Sequence, residues 1–210
     1  MSLIAWLSLL PICLLGAMSP GPSLAVVVRH TLGGSRGKGI VCAWAHSIGI
    51  GVYALITILG LAVLAKEAPV VFNGISVVGG LFLAWLGIKS LRSKGSISGK
   101  LAAGESTSAF QAARDGLAIS LFNPKILIFF LALFSQFVAE AENTWGQVAI
   151  VATPLIVDGI WYTLVALLLS HPLILPRLKK NAPLIDKLTG AVLILLAIRV
   201  FVTLSQKLYT

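Results

Sequence analysis

An apolar stretch without a single charged residue runs from Leu3 to Val28, and the first charge of the chain is Arg29. About 20 apolar residues in a helix are enough to cross the hydrocarbon core of a bilayer, so this stretch predicts a membrane span. Only 11% of the 210 residues are charged, whereas soluble domains average about 25%. We therefore expect an all-α integral membrane protein with one transmembrane domain over residues 1–210.

Six apolar runs predict six transmembrane helices: Leu3–Val28, Ile40–Ala65, Gly74–Leu91, Gly116–Val138, Trp145–Ser170 and Leu188–Ser205. The first run lacks the basic residues that open a signal peptide, so we expect it to be retained as a span. One long polar linker, about residues 92–115, is rich in Gly, Ser and Ala. It separates a first half, about residues 1–91, from a second half, about residues 116–210.

The basic residues alternate between loops in a way that predicts the orientation of the chain. They collect in loops one, three and five: Arg29, Arg36, Lys38, Lys89, Arg92, Lys94, Lys100, Arg114, Arg177, Lys179, Lys180 and Lys187. Loop two holds only Lys66 beside Glu67, and loop four holds Glu140 and Glu142 without a basic residue. Because Lys and Arg favour cytoplasmic loops, we expect both termini on the extracytoplasmic side of the cell inner membrane. The net charge of +9 then reports membrane orientation and not binding of nucleic acid.

The two halves of the chain repeat each other. Gly79–Lys89 aligns with Thr189–Arg199, and Met18–Pro22 aligns with Phe122–Ile126. Each copy would hold three spans, an odd number, so the second copy must lie upside down relative to the first. Inverted repeats are typical of secondary transporters. The sequence therefore predicts two inverted three-helix repeats.

A helix breaker lies inside one span of each half, at Ser19–Pro20 and at Asn123–Pro124. Proline inside a helix costs about 3 kcal/mol, but Ser and Asn favour the N-cap and Pro favours the first helical position. Each pair therefore predicts that the first and the fourth spans are broken into half-helices. The N–H groups of two such N-termini would attract an anion near the middle of the membrane, and Gly21 permits close approach of a ligand or backbone. A plain proline kink is the alternative.

Three of the ionisable residues within these spans are candidate functional residues. Asp158 is the one deep acid, and because the membrane disfavours its charged form it is either a proton carrier or half of a structural pair with a base. Lys125 lies at a helix N-terminus, where a cation is unfavourable. A carboxylate from Asp158 or from a substrate would offset this, and snorkelling to the membrane surface is the alternative. His46 is either a packing residue or a second proton carrier.

Small residues recur about every four positions in the second and third spans, at Ala43, Ser47 and Gly51, and at Gly80, Ala84 and Gly87. This spacing lets helices approach closely, either within the bundle or in a homodimer. Cys13 and Cys42 lie in apolar runs, which is typical of packing residues.

In these motifs the sequence resembles the LysE/RhtB family of bacterial amino-acid exporters, over essentially the whole chain. The resemblance rests on "MSPGPS" (Met18–Ser23), "LFNPKILIFF" (Leu121–Phe130) and "DGIWY" (Asp158–Tyr162). It implies six spans and export of small amino acids or their derivatives, driven by proton antiport and without a cofactor. Ser23 stands where many members have an acidic or amide residue, so the resemblance does not name the amino acid.

The substrate-binding residues predicted from these patterns are Ser19, Pro20, Gly21, Pro22, Asn123, Pro124 and Lys125. The proton-coupling residues predicted are Asp158 and His46, of which the resemblance carries over only Asp158.

Three other classes of membrane protein remain as alternatives. An exporter of another small solute or of a metal cation on the same fold would need clusters of His or acidic residues, and the three histidines are scattered. A thiol–disulfide electron carrier needs a redox pair of cysteines, and the second half contains no cysteine. A membrane enzyme would carry a catalytic set, a metal motif or a phosphate loop, and none is present in the sequence.

Overall fold

The computed structural model describes residues 1–19, 21–92, 108–137, 141, 143–169 and 174–208. Across these ranges the chain forms eight α-helices and no β-strand, which confirms the all-α prediction there. The helices are α1 (Leu3–Met18), α2 (Pro22–Gly33), α3 (Arg36–Glu67), α4 (Pro69–Leu91), α5 (Ala109–Leu121), α6 (Pro124–Phe134), α7 (Thr144–Leu169) and α8 (Ile174–Leu208). Most of the predicted polar linker lies outside the described residues, as do Pro20, Lys94, Lys100, Glu140 and Glu142.

Three of the helices, α3, α4 and α7, are long and apolar enough to cross a membrane. Two pairs of shorter helices meet the same criterion together but are bent, by 62° between α1 and α2 and by 53° between α5 and α6. Counting each bent pair as one span gives up to five spans in the described part of the chain. A shorter apolar segment, Leu193–Gln206, lies in α8, so the sixth span stays a prediction.

The second break lies where the sequence predicts it. Helix α5 ends at Leu121, and α6 begins at Pro124. Asn123 is the N-cap, and its side-chain oxygen accepts a hydrogen bond from the backbone N–H of Lys125 at 3.1 Å. An N-cap side chain satisfies one of the N–H groups that a helix start leaves without a partner.

The first break is shifted from its predicted position. Ser19 is the C-cap of α1, and α2 begins at Pro22 with Gly21 as its N-cap. The prediction that Ser19 and Pro20 open the second half-helix is therefore wrong, because Pro22 occupies the first helical position. No side chain caps the N-terminus of α2 among the residues that the structure describes.

The stripes of small residues pack inside the chain. Helix α3 packs against α7, and α4 packs against α8. A Cβ atom on Gly51 would lie 2.5 Å from a methyl carbon of Leu155, and Ser47 donates a hydrogen bond to the Leu155 carbonyl. Where α4 meets α8, a Cβ atom on Gly87 would lie 2.9 Å from the carbonyl oxygen of Gly190. Residues of both stripes thus make helix contacts within the bundle.

Two apolar clusters fill the interior. The larger cluster joins α1, α3, α4, α6, α7 and α8, and includes the fully buried Phe134 and Ile150. The smaller cluster joins α2 and α5 to parts of α3 and α7, around Val27. Cys13 lies in the larger cluster and Cys42 in the smaller one, each as a buried free thiol. Their predicted role as packing residues fits these positions.

Large apolar side chains also cover the outside of the bundle. Ile4, Ile56, Val70, Leu81 and Ile198 are each more than half exposed, and they lie on α1, α3, α4 and α8. An aqueous surface rarely carries apolar patches of this extent, whereas a lipid-facing surface requires them. The exterior of these helices is therefore that of a multi-pass membrane protein.

Candidate functional site

A cavity lies between the two helix breaks, where the two apolar clusters meet. Its volume is about 60 Å³. One water molecule needs about 10–15 Å³ of such space, so the cavity has room for a group of about five non-hydrogen atoms in this conformation. The predicted site residues that line it are Ser19, Gly21, Pro22, His46, Asn123, Lys125 and Asp158.

The structure thus brings to one cavity every predicted site residue whose side chain it describes. Pro20 lies outside the described residues, and Pro124 opens α6 beside Asn123 and Lys125. Residues about 100 positions apart in the sequence meet here because each half of the chain contributes one bent helix pair.

Lys125 connects the two breaks. Its ammonium group donates to Ser19 Oγ at 2.7 Å and to the Ser19 carbonyl oxygen at 3.3 Å. The last carbonyl groups of a helix have no donor of their own, so the lysine satisfies the end of α1. A Cβ atom on Gly21 would lie 3.3 Å from this ammonium nitrogen, and the absence of a side chain there leaves room for the lysine. Lys125 thus extends to the cavity and to the opposite break, which favours a role at the cavity over snorkelling.

Two further side chains secure the break in the first span. Tyr162 donates a hydrogen bond through its hydroxyl to the Ala17 carbonyl at 3.2 Å, in the last turn of α1. The side-chain amide of Asn123 donates to Ser23 Oγ at 3.5 Å, in the first turn of α2. Both Tyr162 and Ser23 line the cavity. The sequence left the role of Tyr162 open and did not place Ser23 in the site, although its position directly after "PGP" was a usable signal.

Asp158 and His46 form a buried pair at the cavity. His46 Nδ1 and Asp158 Oδ2 are 2.7 Å apart, and the two side chains are 2% and 8% exposed. His46 Nε2 is buried and has no hydrogen-bond partner in the described part of the chain. The Tyr162 ring and the imidazole pack in a T-shaped arrangement, with ring centroids 5.2 Å apart. The sequence predicts both residues as proton carriers, but not that they are bonded to each other.

The cavity combines one cation and one anion with apolar walls. Lys125 and Asp158 are its oppositely charged side chains, and Phe129, Phe130 and Leu193 supply apolar surface. Low local dielectric strengthens the interaction of each charged group with a ligand. The arrangement suits a small solute that carries charges of both signs.

A second buried histidine pairs with an acid outside the cavity. His30 Nε2 and Asp115 Oδ2 are 3.1 Å apart, which connects α2 to α5. Arg29 and Arg114 also lie within 4 Å of the Asp115 carboxylate. Neither His30 nor Asp115 lines the cavity. This second pair of a histidine and an acid therefore connects two helices without taking part in the cavity.

Comparison with known proteins places these motifs in a family. The model of the family described as "LysE type translocator" matches residues 14–204. The threonine efflux protein of Escherichia coli (strain K12) is 29% identical over 192 residues, which cover 90% of this chain and 93% of that protein. The threonine efflux protein of Salmonella typhi is 30% identical over 180 residues, covering 83% of this chain and 86% of that protein.

A leucine efflux protein from Enterobacter sp. (strain 638) is 34% identical over 137 residues, which cover 65% of each chain. No solved structure matches the chain significantly. Because the family model spans nearly the whole sequence, including both helix breaks and Asp158, the chain belongs to the LysE type translocators, the LysE/RhtB family that its motifs resemble.

Proposed function

We propose that this protein is a secondary transporter that exports small amino acids or their derivatives across the cell inner membrane by proton antiport. The main support for this proposal is the cavity between the two helix breaks, which is lined by Lys125 and Asp158. Family membership supports transport, and the names of the threonine and leucine efflux proteins support an amino acid as the substrate.

The substrate carboxylate binds at the Lys125 end of the cavity. The lysine ammonium is held there by Ser19. The N-terminus of α2 begins beside it at Pro22, and no side chain in the described part of the chain caps it. The first N–H groups of a helix and the positive end of its dipole favour an anion. The head group of an amino acid, with its carboxylate, α-carbon and nitrogen, has five non-hydrogen atoms and fits the cavity volume.

The fold in the membrane is proposed to be six spans in two inverted three-helix repeats. Helix contacts support this arrangement, since α3 packs on α7 and α4 packs on α8, which pairs each helix with its counterpart in the other repeat. The contacts of α3 with α5 and of α2 with α7 are matched by those of α7 with α1 and of α6 with α3. A twofold axis in the membrane plane exchanges the members of such pairs. Both termini are proposed to lie outside the cytoplasm, and a homodimer stays a prediction.

No feature of the described residues specifically favours an exporter of metal cations, a thiol–disulfide carrier or a membrane enzyme. A thiol–disulfide carrier would need Cys13 and Cys42 to meet, and they lie in different apolar clusters.

Efflux from proteoliposomes tests the proposal. Purified protein is reconstituted, the vesicles are loaded with labelled threonine or leucine, and efflux is followed at equal pH and with an acidic exterior. We expect the inward proton gradient to accelerate efflux and a proton ionophore to abolish the acceleration. Efflux no faster than from protein-free vesicles, for every amino acid in a panel of the common twenty, would refute the proposed function.

A further inference from the structure

We propose that the ammonium group of the substrate and the coupling proton compete for the Asp158–His46 pair, so that the transporter requires a free amino group on its substrate. This rests on the proposed function and deepens it, because it states which end of the amino acid exchanges with the proton. The carboxylate end binds at Lys125, on the other charged group of the cavity.

The hydrogen bond in the pair determines where a proton binds. Asp158 Oδ2 lies 2.7 Å from His46 Nδ1, and an ionised carboxylate can only accept, so Nδ1 carries the hydrogen. In the neutral imidazole the other nitrogen, Nε2, then holds a lone pair. Nε2 is buried without a hydrogen-bond partner among the residues that the structure describes. A proton taken up at Nε2 produces an imidazolium directly beside the carboxylate, and no bond needs to be broken.

The charge of the pair determines whether an ammonium group binds. With neutral His46 the pair carries one negative charge, and the described bond uses only Oδ2 of Asp158, which leaves Oδ1 to accept from an ammonium group. Lys125 and the pair then match the two ends of a zwitterion. Protonation makes the pair neutral while Lys125 stays positive, so the attraction for the ammonium group is lost. Because the site is buried, this difference is larger than it would be in water.

The Asp158–His46 pair is the part of the cavity whose charge changes, because the neighbouring titratable groups are either bonded elsewhere or buried. The titratable and charged side chains that line the cavity beside the pair are Cys13 of α1, Lys125 of α6 and Tyr162 of α7. Other such groups on the helices packed around the pair do not line the cavity, among them His30 of α2, Cys42 of α3, Lys89 of α4, Asp115 of α5 and Arg199 of α8. His30 is bonded to Asp115, and Lys89 lies over the Trp85 ring. Cys13, Cys42 and Tyr162 are buried, and ionising any of them would place a further anion in an apolar environment.

Competition at one pair of residues supplies the alternation that antiport requires. If the proton lowers the affinity for the amino acid, the amino acid lowers the affinity for the proton by the same factor. The loaded site therefore releases its proton, and the protonated site releases its amino acid.

The first test uses the wild-type protein and pairs of probes that differ only at the amino group. Threonine and leucine are compared with N-acetylthreonine and N-acetylleucine as competitors of labelled threonine or leucine exchange in proteoliposomes. We expect each acetylated compound to compete at least about tenfold more weakly than its parent, since acetylation removes an ion pair to a buried carboxylate that is worth roughly 1.4 kcal/mol or more. Equal competition would overturn the inference while leaving the proposed function intact. If no amino acid is transported at all, the proposed function fails first.

The second test measures the apparent affinity for the transported amino acid against pH. In the wild type we expect the affinity to fall with acidification, approaching about tenfold per pH unit below the titration of the pair, as mass action for one competing proton requires. Asp158→Asn should bind weakly with no pH dependence, because the carboxylate that attracts the ammonium group is removed. Asp115→Asn, which changes the corresponding pair outside the cavity, is the matched control and should keep the wild-type profile. A wild-type affinity that is independent of pH, or a wild-type profile in Asp158→Asn, would overturn the inference.

Discussion

Lys125 is held at the cavity by a residue from the other half of the chain, because its ammonium group lies 2.7 Å from Ser19 Oγ. We expect Lys125→Ala to reduce transport by about tenfold or more, since a hydrogen bond to a charged group is worth roughly 1.5–3 kcal/mol, while the amount of folded protein in the membrane changes little. Lys125→Arg should restore little activity, because a planar guanidinium does not replace a point charge in this space. Transport is measured as exchange of labelled threonine, normalised to purified protein.

Lys89→Ala is the matched control for this prediction. Lys89 is an exposed lysine whose ammonium group lies 4.9 Å from the centre of the Trp85 ring, and it does not line the cavity. We expect its removal to leave exchange unchanged. Full activity of Lys125→Ala would show that the substrate carboxylate is bound elsewhere.

At the first break, local sequence rules predict the interruption but not the residue that resumes the helix. Pro20 and Pro22 both suit the first helical position, and the preference of Ser19 for an N-cap favours Pro20. In the structure Ser19 Oγ instead accepts from Lys125, 106 residues away, and α2 begins at Pro22. Local sequence preferences hardly distinguish Pro20 from Pro22 as the first residue of α2. The contact between Ser19 and Lys125 accompanies a start at Pro22. At Asn123 the local hydrogen bond to the Lys125 backbone is made, and the prediction is confirmed.

The contact of α4 with α8 depends on a glycine from each helix, Gly87 and Gly190. A Cβ atom on Gly190 would lie 2.7 Å from the Gly87 carbonyl oxygen and 2.8 Å from the Leu91 backbone nitrogen. Gly190→Ala therefore forces the two helices apart, and we expect it to cost about 1–3 kcal/mol of stability, which is typical of overpacking. The measurement is the thermal unfolding midpoint of the purified protein in detergent.

Gly74→Ala is the control for this contact, because no heavy atom lies within 4 Å of the added Cβ. Alanine is favoured over glycine in a helix, so this variant should be as stable as the wild type or slightly more stable. An unfolding midpoint for Gly190→Ala equal to that of Gly74→Ala would contradict the close packing of α4 and α8.

Helix pairing explains why the Asp158–His46 bond could not be predicted. Small residues on α3 indicate which face approaches another helix, but not which helix, nor at which register. In the structure Gly159 packs on Ser47, with a Cβ position 3.0 Å from Ser47 Oγ. That contact places the preceding residues, Asp158 and His46, side by side although they are 112 positions apart. Both were recognisable as candidate site residues from their position in apolar runs, whereas the bond between them depends on how the helices pack.

Across the whole molecule, the distribution of Lys and Arg predicts which loops face the cytoplasm. In a background with Cys13→Ser and Cys42→Ser, we expect an impermeant maleimide added to intact cells to label Glu67→Cys, at the end of α3. Gly37→Cys, at the start of α3, should be labelled only after permeabilisation. Both positions are exposed in the structure. Labelling of Gly37→Cys in intact cells would show that the orientation is reversed or that the span count is wrong.

Hydropathy predicts the middle spans of the molecule well and the last one poorly. Helices α3, α4 and α7 contain the predicted runs nearly completely. The predicted sixth run begins at Leu188, but α8 already begins at Ile174. Its first turns hold Lys and Arg residues, which are good helix formers but lower the hydropathy, so an apolar run cannot reveal where this helix starts.

Protection of a cysteine in the cavity by the substrate tests most directly whether the amino acid binds between the two helix breaks. Ser23→Cys changes one atom of a buried side chain that lines the cavity, in the background without Cys13 and Cys42. The measured quantity is the rate of modification by a small thiol reagent at rising concentrations of the transported amino acid. Binding in the cavity predicts that modification slows with the same half-saturating concentration as transport, while modification of Glu67→Cys does not change. A modification rate at position 23 that is unaffected by saturating amino acid, in protein that transports it, would contradict the account.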